Sequence, residues 1–304
     1  LQSILPIFVI IVLGAFFYRI KLAKYTWIDV LNEYVVKIGF PCLIFSTLVK
    51  LEWNVQLHGK ILVVNSIFVL FCFSLAIIVS RFMGLSAKMK RTLFLAVTYG
   101  NIAYLGIPII EMFMGKYYLP EASLITACYL FWIFSVGMIY LEYSRNGEVD
   151  VKLVFSNLIK NPIIVAVIAG MFVLAIHVKM PVIILKPLQM ISASVTPVIL
   201  FSLGIFLGNS TVGKLKEWTP VLILTAFVLI VKPLLYFLSI KGFNYSIQAF
   251  HVSILDAGMP LALTPFALAK DFDLDADFLA KGIVLSTILS LLTLSLLHSF
   301  LSAS

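Results

Sequence analysis

The sequence predicts an all-α polytopic membrane protein with ten transmembrane helices, arranged as two inverted repeats of five. Three observations predict it. Of the 304 residues, 62% are hydrophobic and 12% charged, and the mean hydropathy is +1.10. Roughly 20 apolar residues cross a bilayer as a helix, so this content suffices for about nine or ten crossings and leaves almost nothing for a water-soluble domain. The apolar stretches are parted by short polar loops, and motifs within them recur at a near-constant offset. This composition excludes an ordinary globular enzyme, a nucleic-acid-binding module and a secreted disulfide scaffold. The net charge of +8 reads as basic residues in short loops, not as an anionic macromolecular partner.

Taken in order, the spans are expected at about 3–19, 30–50, 59–81, 90–115, 121–143, 157–178, 186–208, 217–240, 246–269 and 278–302. The first has no basic residue before it and no small-x-small site before Arg19, so a cleavable signal peptide is not expected. The second opens with Glu33 and Lys37, four apart and placed for an i,i+4 pair with Lys37 reaching for water. Cys42, Cys72 and Cys128 fall inside apolar runs with no C-x-x-C spacing, so neither a metal site nor a disulfide framework is indicated. The longest polar interruption runs from Arg145 to Asp150, and no extramembrane domain is visible. Lys232 precedes Pro233 in span 8 and reads as snorkelling, with a cavity-facing countercharge as the alternative. Asp271, Asp273, Asp275 and Asp277, between Lys270 and Lys281, read as the cap of span 10 and a solvated loop; the spacing lacks the glycine and terminal glutamate of a calcium loop.

Of the 22 lysines and arginines, 14 fall in the loops after the odd-numbered spans and 6 on the opposite side, with Lys37 and Lys232 inside spans. The positive-inside bias then places the first side in the cytoplasm and both termini outside. The halves 1–150 and 151–304 echo each other. Pro6 and Gly14 recur as Pro162 and Gly170, and Pro41 through Ser46 as Pro197 through Ser202, both at an offset of 156. Gly106-Ile107-Pro108 recurs as Gly258-Met259-Pro260 at 152. Five spans is an odd number, so the second repeat would be inverted, as in secondary transporters.

Spans 4 and 9 read as broken. Gly100-Asn101, Gly106 and Pro108 interrupt one; Asp256, Gly258, Pro260 and Pro265 interrupt the other. A simple kink is the plain alternative for either alone. If Pro108 and Pro260 open second half-helices, both N-termini point at the membrane centre and form a site for an anion. Asn101 lies near mid-membrane, where its amide either contacts substrate or bridges the broken backbone. Asp256, at equivalent depth, either carries a coupling proton, holds a cation or caps the local helix. Asn65 and Ser253 are placed to line the same cavity, although each alone is more often interhelical packing.

Three stretches resemble the auxin efflux carrier family. They are Gly39-Phe40-Pro41 with Phe45-Ser46; Asn101 with Gly106-Ile107-Pro108; and Met259-Pro260 through Thr264-Pro265-Phe266, Ala269-Lys270-Asp271-Phe272 and Asp277 to Ser286-Thr287. The resemblance covers the whole chain. Only about fifteen residues join spans 5 and 6, so the chain resembles compact bacterial organic-acid permeases more than the plant carriers with their long insert. The resemblance implies a fold like that of sodium/proton antiporters and bile-acid symporters, with crossed broken helices. It implies a scaffold of spans 1, 2, 6 and 7, often dimeric, and a moving transport unit of spans 3–5 and 8–10. It implies a small organic anion as substrate, contacted by Asn101 beside Pro108 and Pro260.

The expected function is therefore a secondary carrier of a small organic anion, a carboxylate by preference, working by alternating access in the cytoplasmic membrane. The expected site is Gly100, Asn101, Gly106, Pro108, Asp256, Gly258, Pro260, Asn65 and Ser253, with Asp256 as the coupling-ion residue. No cofactor or nucleic acid is implied; proton or sodium coupling and a homodimer are. A sodium-coupled bile-acid-type symporter and a passive channel are the alternatives. An intramembrane enzyme is a distant third, since no H-E-x-x-H or G-x-S-x-G is present and no P-loop supports ATP drive.

Overall fold

The computed structural model describes residues 5–209 and 218–303. The first residues of spans 1 and 8, and Lys214 and Lys216 of the charge count, lie outside the described residues. The described chain is helical, and its bridge pairing is a single isolated contact, Gly100 with Leu261.

In chain order, α1 (Leu5–Arg19) is followed by α2 (Trp27–Tyr34), a π-turn at Val35–Gly39 and α3 (Phe40–Leu48). Next come α4 (Val55–Phe82) and α5 (Ala87–Thr98), a break, a π-turn at Ile102–Gly106 and α6 (Ile107–Met114). A 3-10 turn at Lys116–Tyr118 leads into α7 (Leu119–Trp132), a π-turn at Ile133–Gly137 and α8 (Met138–Asn146). Then come α9 (Val151–Ile159), α10 (Pro162–Ala175), α11 (Val182–Asn209) and α12 (Trp218–Ala226). A π-turn at Phe227–Val231 precedes α13 (Lys232–Gly242); α14 (His251–Ala257), α15 (Thr264–Ala267) and α16 (Ala276–Ala303) complete the chain. Short polar side chains set several starts. Asn54 Oδ1 accepts from Leu57 N, Ser86 Oγ from Met89 N, Asn161 Oδ1 from Ile163 N and Asp275 Oδ1 from Phe278 N.

Three of these π-turns end two residues before a proline: Gly39 before Pro41, Gly106 before Pro108 and Val231 before Pro233. Proline cannot donate its helical hydrogen bond and its ring crowds the preceding turn. A widened turn just upstream relieves both while the helix continues.

The expectation of ten spans in two inverted five-helix repeats does not hold. Among the described residues five helices are long and apolar enough to cross a membrane: Val55–Phe82, Lys116–Asn146, Val182–Asn209, Trp218–Gly242 and Ala276–Ala303. The pair Val151–Ile159 and Pro162–Ala175, bent by 58°, makes a sixth if counted as one span. Averaging apolarity along the chain fused segments that the backbone separates. At about 1.5 Å per residue, the 15 residues of α1 fall short of the roughly 30 Å of hydrocarbon. The expected span 2 carries Asp29, Glu33 and Lys37; span 4 is cut at Tyr99–Asn101, and span 9 is reduced to helices of seven and four residues. Along α4, Val63, Ile67, Phe71 and Ile78 are exposed, as are Ile288, Leu292 and Leu296 on α16. Such apolar stripes suit lipid and would be a liability in water.

The chain forms two compact units. The first comprises Leu1–His58, Ala103–Ala127 and Ile159–Thr211. Its main seam joins α1 to α11, where backbones meet at glycines. A Cβ on Gly204 would stand 2.1 Å from the Ile11 carbonyl, and one on Gly14 2.3 Å from the Phe201 carbonyl. Gly204 and Gly208 are four apart, the spacing that lets membrane helices approach closely. Glu33 and Lys37 form the expected pair. The second unit comprises Gly59–Ile102, Cys128–Leu158 and Val212–Ser304. In it Arg91, buried at the start of α5, donates to the carbonyls of Phe272 (2.9 Å), Ser144 (3.1 Å) and Asp273 (3.1 Å) and to Asp273 Oδ2 (2.7 Å). Asp275 N donates to Thr92 Oγ1 at 2.8 Å. The loop before α16 is thereby fastened to α5.

Candidate functional site

The second unit brings its two backbone breaks together. After Thr98 the chain leaves α5 at Tyr99, whose ψ of 81° is not helical. After Ala257 it leaves α14 and runs irregularly to Leu263. Asn101 N donates to the Pro260 carbonyl at 2.7 Å, and Ala262 N donates to the Tyr99 carbonyl at 3.2 Å, flanking the Gly100–Leu261 bridge. Leu261 N donates to Ser286 Oγ of α16 at 3.1 Å. A helix break frees peptide groups that hydrocarbon cannot solvate; here the two breaks satisfy one another as a two-rung antiparallel ladder.

Polar side chains collect around this ladder. Asn101 is 2% exposed, Asp256 1%, and Asn65 and Ser253 are fully buried. Asn65 Nδ2 donates to Ser253 Oγ at 2.9 Å, joining α4 to α14. Among the described residues, Asn101 Nδ2, Asn65 Oδ1 and the Tyr129 hydroxyl have no hydrogen-bond partner. An unmet buried polar atom costs about 1–3 kcal/mol, so three in one unit mark a place kept polar for something that binds.

The strongest addition is Lys232. Its side chain is buried, and its Nζ lies 3.4 Å from where a Cβ on Gly100 would stand, with the Met259 carbonyl 3.6 Å from that same point. A glycine at position 100 is what leaves room for the ammonium. Lys232 is also within electrostatic reach of Cys72 and Asp256, and Asp256 within reach of the Tyr129 hydroxyl. The snorkelling expectation for Lys232 is thus corrected. The π-turn at Phe227–Val231 holds one residue more than an α-turn, which rotates the downstream residues by about 100° around the helix. Pro233, two residues after that turn, was the available signal.

Of the expected site residues, Gly100, Asn101, Asp256, Gly258, Pro260, Asn65 and Ser253 belong to this second unit, while Gly106 and Pro108 belong to the first. Pro108 does lie in the first turn of α6, but Gly106 before it keeps helical dihedrals (φ −62°, ψ −53°), so no open N-terminus faces a ligand there. Pro260 opens no helix: its carbonyl is the acceptor for Asn101, and the next helix starts at Thr264 and lasts four residues. Two opposed half-helix ends therefore do not make the site; side chains do. A cavity of about 730 Å³ lies elsewhere in the unit, lined by loop residues including Glu142, Arg145, Glu148, Asp150, Lys152 and Asp271, and holds none of the expected residues.

Comparison with known proteins agrees with a membrane carrier. A family model described as membrane transport protein matches residues 1–298. An uncharacterized transporter of Methanocaldococcus jannaschii is 25% identical over 97% of this chain and 97% of its own length. Another, from Methanothermobacter thermautotrophicus, is 25% identical over 97% and 96%. Auxin efflux carrier component 8 of Arabidopsis thaliana is 27% identical over 45% of this chain and 38% of its own.

Proposed function

We propose that this chain, which belongs to the membrane transport protein family, is a secondary carrier that moves a small organic anion, a carboxylate by preference, by alternating access. The family is one of transport proteins and not of enzymes, and the chain is a multi-pass membrane protein related to auxin-efflux-carrier-type proteins. One observation carries the substrate class: a buried, unused amide donor, Asn101 Nδ2, stands at the paired breaks in the unit that also buries the Lys232 ammonium beside Gly100. Donors without matching acceptors in hydrocarbon favour a ligand that supplies negative oxygen.

In this reading Asn101 contacts the carboxylate, Gly100, Gly258 and Pro260 shape the ladder that presents it, and Asn65 with Ser253 fixes α4 to α14. Asp256 is the coupling residue. Gly106 and Pro108 set the π-turn that comes after Asn101. The carrier works as a homodimer in the cytoplasmic membrane with both termini outside, an orientation supported by the lysine and arginine bias. With native cysteines removed, an impermeant thiol reagent should label a cysteine at Ser302 and spare one at Gly147 in intact cells; the reverse pattern inverts the orientation.

The substrate reading is tested by binding to purified protein, measured by calorimetry with lactate, pyruvate, malonate and succinate, each against its amide. The acid should bind and the amide should not. Asn101→Ala should weaken the acid by about tenfold, the worth of one charge-assisted hydrogen bond. Equal binding of acid and amide, or an Asn101→Ala protein that binds as well as wild type, rules out this site.

A further inference from the structure

We infer that Lys232 and Asp256 form an exchangeable ion pair, so that each anion bound by Lys232 is carried together with one proton taken up by Asp256. The inference rests on the anion-carrier reading above and assigns its coupling. Its basis is placement. Lys232 is 3% exposed and Asp256 1% exposed, in the same unit as the Gly100–Leu261 ladder. Lys232 Nζ lies against Gly100, and the Asp256 carbonyl accepts from Met259 N at 3.2 Å, which holds that residue at the exit from α14.

The other ionisable groups that act on the pair are Cys72 on α4, Cys128 and Tyr129 on α7, and Tyr236 on α13. None is an ordinary source of charge at neutral pH. The pair is therefore the local charge balance: one ammonium against one carboxylate, buried where a lone charge is costly.

An anion arriving at Lys232 takes over the role of countercharge. Asp256 then holds a second negative charge in the same buried volume, and it is neutralised by taking one proton from the aqueous side that delivered the anion. The balance is closed. Ammonium with carboxylate is neutral, and ammonium with a monovalent anion beside a carboxylic acid is also neutral. Release on the far side returns the anion and the proton together and re-forms the Lys232–Asp256 pair. Transport of a monovalent anion is then electroneutral and driven by a pH gradient, while a divalent anion carries one net negative charge.

The test uses the full chain in proteoliposomes with radiolabelled lactate and succinate under a potassium/valinomycin voltage clamp. Lactate uptake should respond to an imposed pH gradient and ignore voltage, and succinate uptake should respond to voltage. Asp256→Asn should still exchange lactate, but net uptake should become voltage-sensitive and lose its drive by the pH gradient. Lys232→Gln should lower lactate affinity by at least about tenfold, and Lys232→Arg should restore part of it. Voltage-driven lactate uptake in wild type, or an Asp256→Asn protein with unchanged pH drive, overturns the coupling while leaving the anion site intact if Asn101→Ala still weakens binding. Failure of every carboxylate to bind overturns the site and the coupling together.

Discussion

Arg91 shows how one residue can serve differently from its place in a charge count. By sequence it is one of the basic residues flanking span 4. In the structure its side chain is 6% exposed and makes four hydrogen bonds to three backbone carbonyls and one carboxylate oxygen. Only a planar guanidinium supplies that many donors in a fixed fork. Arg91→Ala should cost roughly 3 kcal/mol, since it strands carbonyls that the guanidinium now satisfies. Arg91→Lys should recover a minor part. Thermal unfolding of the detergent-purified variants measures both, and an Arg91→Ala protein as stable as wild type would show the loop before α16 to be held by other contacts. Lys232 teaches the complementary lesson. Sequence identified it as an intramembrane charge but could not orient it, because the face it occupies depends on a π-turn that composition does not reveal.

At the scale of elements, the two breaks were legible because glycine, asparagine and proline cluster at Gly100-Asn101 and Gly258-Met259-Pro260. Their partnership was not legible. Which backbone groups meet depends on the exact residues at which α5 and α14 stop, and pattern reading places such ends only within a few residues. The expected helix start at Pro260 failed for this reason: proline tolerates the first turn of a helix but does not compel one, and here the chain stays irregular to Thr264. The α1–α11 seam was equally hidden. Gly204 and Gly208 are visible in sequence, but their partner, the Ile11–Ala15 stretch, is not. Gly204→Val should cost at least about 1–3 kcal/mol through overpacking. Gly59→Ala, where a Cβ meets nothing within 4 Å, should be neutral or stabilising by up to about 1 kcal/mol. Unfolding transitions of the two variants in one detergent would show the contrast. Equal stability would mean that the first unit absorbs a wider α1–α11 spacing.

For the whole molecule, membrane residence came from composition, because 62% hydrophobic residues cannot be buried in a core of this length without leaving the apolar stripes seen on α4 and α16. The number of crossings did not. Hydropathy records what a segment would tolerate, whereas length, bending and breaks decide what it can span, as α1 and the 58° bend between α9 and α10 show. The division into two compact units, each drawn from separated parts of the chain, also lies beyond a reading that proceeds along the sequence. The account's central claim, a carboxylate held at the paired breaks and carried across the membrane, is tested most directly by counterflow. Proteoliposomes preloaded with unlabelled lactate should accumulate radiolabelled lactate transiently, preloading with lactamide should produce no overshoot, and Asn101→Ala should abolish the overshoot at substrate concentrations that saturate wild type. An overshoot that lactamide supports as well as lactate, or one that survives Asn101→Ala unchanged, would contradict it.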